Sequence, residues 1–419
     1  MITRIQALGF RSLQHVDQPL GPCHILVGPN ASGKTTFLDV VAFLGRLVSD
    51  GIEAAVGERT QNFYDLLWHR SGSRFELAIE ARVPEDLRAD LRKPEWDRIR
   101  YEVAVGIDSE SHELGLQAER VLLKKAETLS PPQRALFPAP VSSPKTLVGE
   151  KAHAHAQTVI NKVPEGNDNF YSEVYRETGK GWVPAFKLGT RRSALGNMPA
   201  DESKFPVSTW LKGLLTSGVQ QFVLNSLLIR KASPPGQARG FKPDGSNLPW
   251  VLHELERRSP VLYRQWINHL RTAFPDIEGI ATIERQDDKH RYLVIKYRGG
   301  VEVPSWMASD GTLRMLALTL PAYLQDFGGV YLVEEPENGI HPRAIETLFQ
   351  SLSSVYNAQM LLATHSPVIL SLVDAEQVLC FAKDPHGATD IVRGAEHPAL
   401  AAWKGETTLG VLFAAGVLG

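Results

Sequence analysis

Gly28-Pro-Asn-Ala-Ser-Gly-Lys-Thr35 has the spacing G-x-x-x-x-G-K-[ST] of a phosphate-binding loop. In such a loop successive backbone N–H groups form a concave anion site, and the start of the following helix adds partial positive charge. Gly28, Pro29, Asn30, Ala31, Ser32, Gly33 and Thr36 would form the cradle around phosphate. Lys34 would reach the β- and γ-phosphates, and the Thr35 hydroxyl would ligate Mg2+. The plain alternative is a chance glycine turn before a helix. Context argues against it: His24-Ile-Leu-Val27 leads in as a buried strand does, and Thr36 to Leu44 carries apolar residues at helical spacing.

A second constellation is Val330-Tyr-Leu-Val-Glu-Glu-Pro-Glu337, an apolar strand ending in adjacent carboxylates. A strand aims successive side chains to opposite faces, so the two carboxylates can do different jobs. Glu334 would sit near Mg2+, directly or through water, and Glu335 would act as general base on the attacking water. A strand running out into an acidic turn is the bland reading, and it weakens beside a phosphate loop in the same chain. Gln359-Met-Leu-Leu-Ala-Thr-His365 follows, and a histidine at the C-terminal end of a buried strand is placed to touch a γ-phosphate. Upstream, Ser309-Asp-Gly311 opens an apolar helix. The Ser309 hydroxyl, the Gly311 N–H and the helix start make a second anion site, or Ser309 or Asp310 is an ordinary helix cap.

The elements that must position these groups divide the chain in three. Residues 1–128 read as an N-terminal lobe. Ile2 to Leu8 and Leu13 to Val16 are strands before the phosphate loop, and Arg74 to Val83 and Arg98 to Ile107 alternate as half-buried strands do. Residues 129–275 read as a proline-punctuated insertion, with helical patches at Val207 to Ser226 and at Leu248 to Phe274. Residues 276–419 resume an α/β pattern as a C-terminal lobe. Basic residues cluster in the insertion, Lys180, Lys187, Arg191 and Arg192 in one group and Arg230, Lys231, Arg239 and Lys242 in another. They are a solvated surface or a grip on a nucleic-acid backbone or acidic partner. His153 and His155 have no further ligand nearby and read as surface residues.

Composition narrows the class. At 419 residues and 43% hydrophobic, the chain can bury a large core. A formal net charge of −2 excludes a strongly basic nucleic-acid coat but leaves room for a local basic groove. Two cysteines, Cys23 and Cys380, argue against a disulfide scaffold or a zinc site and fit a reducing compartment. The start lacks a signal-peptide core, and an apolar run such as Met315 to Leu324 is too short to span a bilayer. A cytoplasmic protein with no membrane partner is expected.

Taken in order, these segments resemble the ABC-type ATPases of the SMC and RecF-like branch. They resemble more closely the AAA-like ATPases related to the OLD family, many of them associated with bacterial phage defence. The likeness is carried by Gly9-Phe-Arg-Ser-Leu13, Gly28 to Thr35, Asp244 to Leu252, Ala308 to Arg314, Val333 to Pro342 and Ala363 to Pro367. Glu334 stands where that family's Walker B motif usually has Asp. The resemblance implies an α/β fold: an ABC-type P-loop nucleotide-binding domain with a mixed or antiparallel attached sheet and a mainly helical insertion, using ATP and Mg2+.

It also implies that the signature turn comes from an opposing subunit. Ser309 and Gly311 of one copy would cap ATP held by Lys34 of another, giving a homodimer or higher even oligomer, with His365 on the same γ-phosphate. Arg11 and Ser12 match the family's Phe-Arg-Ser element near the nucleotide, and Gln61 is the nearest candidate for its glutamine loop. The residues after His365 are too few for the metal-dependent domain of OLD-type nucleases, so nuclease or toxin activity is expected from a separate effector. Two functions follow. One is an ATP-hydrolysing switch that controls DNA or that effector in antiphage defence. The other is a DNA-repair or chromosome-maintenance ATPase acting chiefly by binding DNA.

Overall fold

The structure is a computed structural model; it describes residues 1–127, 134–140, 142–149, 156–174, 184–237, 240–325, 328–355, 358–400 and 407–418. The chain opens with β1 (Ile2–Phe10), β2 (Leu13–Pro19), β3 (Cys23–Val27), α1 (Lys34–Asp50), α2 (Ile52–Gly57) and β4 (Arg74–Arg82). There follow α3 (Glu85–Arg88), β5 (Arg98–Ile107), β6 (Leu114–Lys124), β7 (Ala156–Asn161), β8 (Asp168–Phe170), β9 (Ala185–Phe186), α4 (Pro206–Gly213) and β10 (Val219–Phe222). Next come α5 (Ser226–Arg230), α6 (Leu248–Arg258), α7 (Pro260–Ala273), β11 (Ile277–Glu284), β12 (Arg291–Tyr297), β13 (Val301–Pro304) and α8 (Asp310–Thr319). The chain closes with β14 (Gly329–Glu334), α9 (Pro342–Ser353), β15 (Ala358–Ala363), α10 (Pro367–Leu370), β16 (Val378–Lys383), β17 (Thr389–Arg393) and α11 (Leu409–Ala414).

These elements form two compact units. The first comprises Met1–Val219 with Glu376–Trp403 and Leu418–Gly419; the second comprises Gln220–Ala375 with Lys404–Val417. The division falls at Val219 and Ala375, where the sequence suggested breaks near 128 and 275. Strands β7 to β9 account for the difference at the first boundary: β7 pairs antiparallel with β6 and extends the sheet that the N-terminal strands began.

In the first unit that sheet has eight strands, in the order β2-β1-β4-β5-β6-β7-β8-β9. Phe10, Phe43, Phe63 and Phe75 form an aromatic cluster between β1, β4 and α1, with Phe10 and Phe75 centroids 4.9 Å apart. Each fully buried ring of this kind stabilises by roughly 1.5–3 kcal/mol. The half-buried reading of β4 needs correction, because Glu76 and Glu80 on its other face are only 2% and 6% exposed. Glu76 accepts from the Thr146 hydroxyl at 2.8 Å and the Leu147 N–H at 2.5 Å, and Glu80 accepts from Arg100 and Lys124. Charged side chains satisfy the periodicity of a solvated face and are then buried as a bonded network. Separately, β3 pairs in parallel with β16, Ile25 opposite Val378, and β16 pairs antiparallel with β17.

In the second unit β14 runs parallel to β15, with β10 on its other side, and β11, β12 and β13 make an antiparallel meander. The region 248–274 is two helices, α6 and α7, parted at Ser259-Pro260. Leu248, Val251, Leu252 and Leu255 are buried together on α6, as their spacing predicts. The helical reading of Val207 to Ser226 holds only for its first part. After Gly218 the chain turns into strand β10, because Val219 and Phe222 favour extended backbone and glycine ends a helix. No helix among the described residues is long and apolar enough to cross a membrane.

Candidate nucleotide site

The phosphate loop belongs to the first unit. β3 is apolar and buried and delivers the chain to Gly28, and α1 starts at Lys34. Pro29, Asn30 and Ala31 are exposed at the crest, Ser32, Gly33 and Lys34 are buried, and Thr35 is exposed. The Lys34 ammonium donates to the Gly28 and Pro29 carbonyls at 2.8 and 2.9 Å, which curls its side chain back over the loop. Gly33 has φ 108°, and a Cβ there would overlap the Thr389 hydroxyl. Only glycine lets the loop seat against β17 in that conformation.

Beneath the loop, His24 accepts from the Gly21 N–H at Nε2, 2.7 Å, and donates from Nδ1 to the Gln377 carbonyl, 3.2 Å. Burial pushes its pKa down to about 4, so the ring is neutral. Arg11 has a left-handed backbone, φ 50°, and binds Asp39 of α1 at 3.0 Å. Arg59 holds the same carboxylate, at 2.5 Å from NH2 and 2.8 Å from Nε. Ser12, next along, lies 3.0 Å from Thr389 Oγ1. Arg11, Ser12 and the loop residues are thus brought together, through Asp39 and Thr389.

The paired carboxylates belong to the second unit. β14 ends at Glu334, whose Oε1 accepts from Gln221 Nε2 of β10 at 3.3 Å. Glu335 follows at φ 44° and donates its N–H to the Ala363 carbonyl at the end of β15. A left-handed residue at a strand end throws its side chain out of the alternation, so the two carboxylates part company. Glu335 Oε2 accepts from Asn338 Nδ2 at 2.5 Å, and its Oε1 lies 4.0 Å from His365 Nε2. Arg11, Ala31 and Glu335 are all non-glycine residues in the left-handed region. Each such conformation costs on the order of 1–3 kcal/mol and is held by its surroundings.

Ser309 caps α8, its hydroxyl accepting from the Thr312 N–H at 3.1 Å, and Gly311 packs so closely on the Gly339 carbonyl that a Cβ would overlap it. The ordinary cap is therefore present, with an exposed Ser309 at the helix start. Three of the candidate basic residues are engaged within the protein. Arg230 binds Asp310 and the Trp306 carbonyl, and Arg191 binds Glu53 at 2.9 Å and Glu113 at 3.5 Å. Lys242 donates to Gln237 at 2.5 Å, while Lys187, Arg192 and Lys231 are exposed. Lys180, Arg239, His153 and His155 lie outside the described residues.

Residues 23–371 match the family model described as "AAA domain, putative AbiEii toxin, Type IV TA system". The chain belongs to this AAA-domain family. It is also similar to an OLD nuclease of Thermus scotoductus, 49% identical over 41 residues, which is 10% of this chain and 8% of that protein. The chain therefore spans only a small part of that relative. Among solved structures it is similar to an Smc head bound to the C-terminal winged-helix domain of ScpA, with a TM-score of 0.53 and 14% identity, covering 93% of this chain and 97% of that one. An Smc head with an extended coiled coil, bound to the C-terminal domain of ScpA from Pyrococcus furiosus, gives 0.51 and 12%, covering 93% and 95%. The fold is that of an ABC-type ATPase head.

For this AAA-domain chain, sequence reasoning missed several residues. Gln221 is one: it sits beside Glu334, whereas Gln61 lies in an exposed bend of the other unit. The short β-branched and aromatic run after Gly218 was the signal for its strand. Thr389, Asp39 and Arg59 had no local signal, since their roles arise from contacts made across the fold.

Proposed function

We propose that this chain binds ATP with Mg2+ and hydrolyses it as a switch. The observation that carries the reading is the phosphate loop, a left-handed glycine turn that opens α1 at Lys34 and is locked against Thr389. Lys34 neutralises phosphate charge, and the loop N–H groups with the helix start hold the anion. The residues suited to Mg2+ are Thr35, an exposed residue at the helix start, and Glu334, a carboxylate oriented by Gln221. The ion would supply charge neutralisation at the phosphates. Glu335 orients and deprotonates the attacking water, with His365 beside it, and Arg11 and Ser12 border the nucleotide. Two copies pair through ATP, Ser309 and Gly311 of one capping the nucleotide of the other. The switch controls DNA or a separate nuclease or toxin in antiphage defence, a reading supported by the similarity to the OLD nuclease. The exposed Lys187, Arg192 and Lys231 favour DNA contact, which also suits the repair or chromosome-maintenance reading.

The test separates binding from turnover. Lys34→Ala abolishes ATP binding, and Glu335→Gln binds ATP but loses hydrolysis by about 10²-fold or more. Normal turnover by Glu335→Gln would defeat the assignment.

A further inference from the structure

A third carboxylate stands just beyond the Glu334–Glu335 pair. Glu337 Oε1 accepts the Thr364 hydroxyl at 2.6 Å and the His365 backbone N–H at 2.9 Å. Thr364 is fully buried and its Oγ1 also accepts the Ser366 N–H at 2.9 Å. One carboxylate oxygen thus gathers the whole Thr364-His365-Ser366 turn. The turn of Glu337 is itself tight, with Asn338 N–H on the Glu335 carbonyl at 3.1 Å and Ile340 N–H on the Glu337 carbonyl at 3.0 Å. Its far side, Gly339, is the surface on which Gly311 of α8 packs. Glu337 Oε2 is buried without a hydrogen-bond partner, as is Arg314 Nε of α8. Burial lowers the Arg314 pKa, while Asp310 and Glu337 act on its charge in the opposite sense.

We infer that Glu337 is a positioning residue: it fixes the His365 turn against Glu335 and ties that turn to the start of α8. A half-buried carboxyl group that accepts two bonds from one turn, and packs through its own turn on another, leaves His365 little freedom. The inference rests on the reading of His365 and Ser309 as groups that act on nucleotide. Its consequence is that Glu337 acts through His365 and never on ATP itself.

The experiment compares Glu337→Ala, Glu337→Gln and Thr364→Val in the full chain, each also in a His365→Ala background, with thermal melts to confirm folding. Glu337→Ala should lower kcat at least about 10-fold while KM for ATP moves less than about 3-fold. Gln keeps an acceptor oxygen for both donors and should restore most of kcat, and Thr364→Val should show the same split more weakly. In the His365→Ala background the Glu337→Ala change should cost less than about 2-fold. Wild-type kcat in Glu337→Ala, a Gln variant no better than Ala, or full additivity with His365→Ala would each overturn the inference. A second readout needs no turnover. The His365 ring resonances of nucleotide-free protein should move in Glu337→Ala and stay in place in Glu337→Gln, and resonances unmoved in both would overturn it as well. Absence of ATPase in the wild-type chain would sink the hydrolysis reading alone, leaving the ring resonances to decide on Glu337.

Discussion

The hydroxyl of Thr389 donates to the Ser32 carbonyl at 2.9 Å, binding the phosphate loop to a strand near the other end of the chain. The same residue donates its backbone N–H to the Ser12 carbonyl, also at 2.9 Å. One residue therefore holds both the buried side of the loop and the turn that carries Arg11.

Thr389→Val keeps the shape of the side chain and removes the hydroxyl, leaving a buried carbonyl unsatisfied. A net loss of about 1–2 kcal/mol corresponds to roughly 5–30-fold weaker ATP binding. Calorimetric titration would measure it. An unchanged affinity would show that the loop keeps its form without β17.

Reversing the charge of Arg230 should impair ATP turnover before any DNA binding, because its guanidinium is spent on Asp310 beside the Ser309 cap. Lys187, Arg192 and Lys231 are the better candidates for a phosphate backbone. Their joint reversal should lower DNA affinity and flatten its salt dependence by about one charge per residue, with DNA-free ATPase intact. Equal DNA affinity across salt concentrations would return them to a solvated surface.

Mixing inactive chains tests whether nucleotide is shared. Lys34→Ala has a ruined phosphate loop and an intact Ser309 turn, and Ser309→Arg has the reverse defect. Each should be inactive alone, and a mixture should recover part of the ATPase rate through heterodimers with one intact site. No recovery between folded, associating chains would count against sharing.

Two buried groups of the first unit pull stability in opposite directions with pH. Burial raises Glu173 from 4.5 to about 7, against hydrogen bonds from Ser208 and Val207 at the start of α4. The folded state holds that proton more tightly, so its contribution is lost as pH rises from 4.5 to 7. His24 is lowered from 6.5 to about 4, so its contribution is present above 6.5 and lost as pH falls toward 4. Each interval corresponds to on the order of 3 kcal/mol, and over their overlap the slopes oppose. Glu173→Gln should therefore expose a steep loss of stability on acidification that wild type partly masks. Parallel pH profiles in urea unfolding would contradict this.

The readings drawn from contiguous residues came through well: strand, loop and helix around Lys34, the carboxylates ending β14, and His365 after β15. Each depends on local spacing that survives any packing. What stayed hidden depends on distance. Nothing near Thr389 hints at Ser32, and nothing near Glu76 hints that a solvent-like face is covered by Thr146 and Leu147. Gln221 was concealed differently, because a helical pattern ran into a strand at Gly218 without a proline to mark the change.

The pairing of β3 with β16 also fixes when the phosphate loop can be completed. During synthesis the phosphate loop emerges well before these partners: the pairing of its strand with β16 waits for Val378 and its lock for Thr389. At about 5–20 residues per second, that wait is on the order of tens of seconds. A nascent or prematurely ended chain lacking Thr389 would carry the Lys34 loop without its clasp.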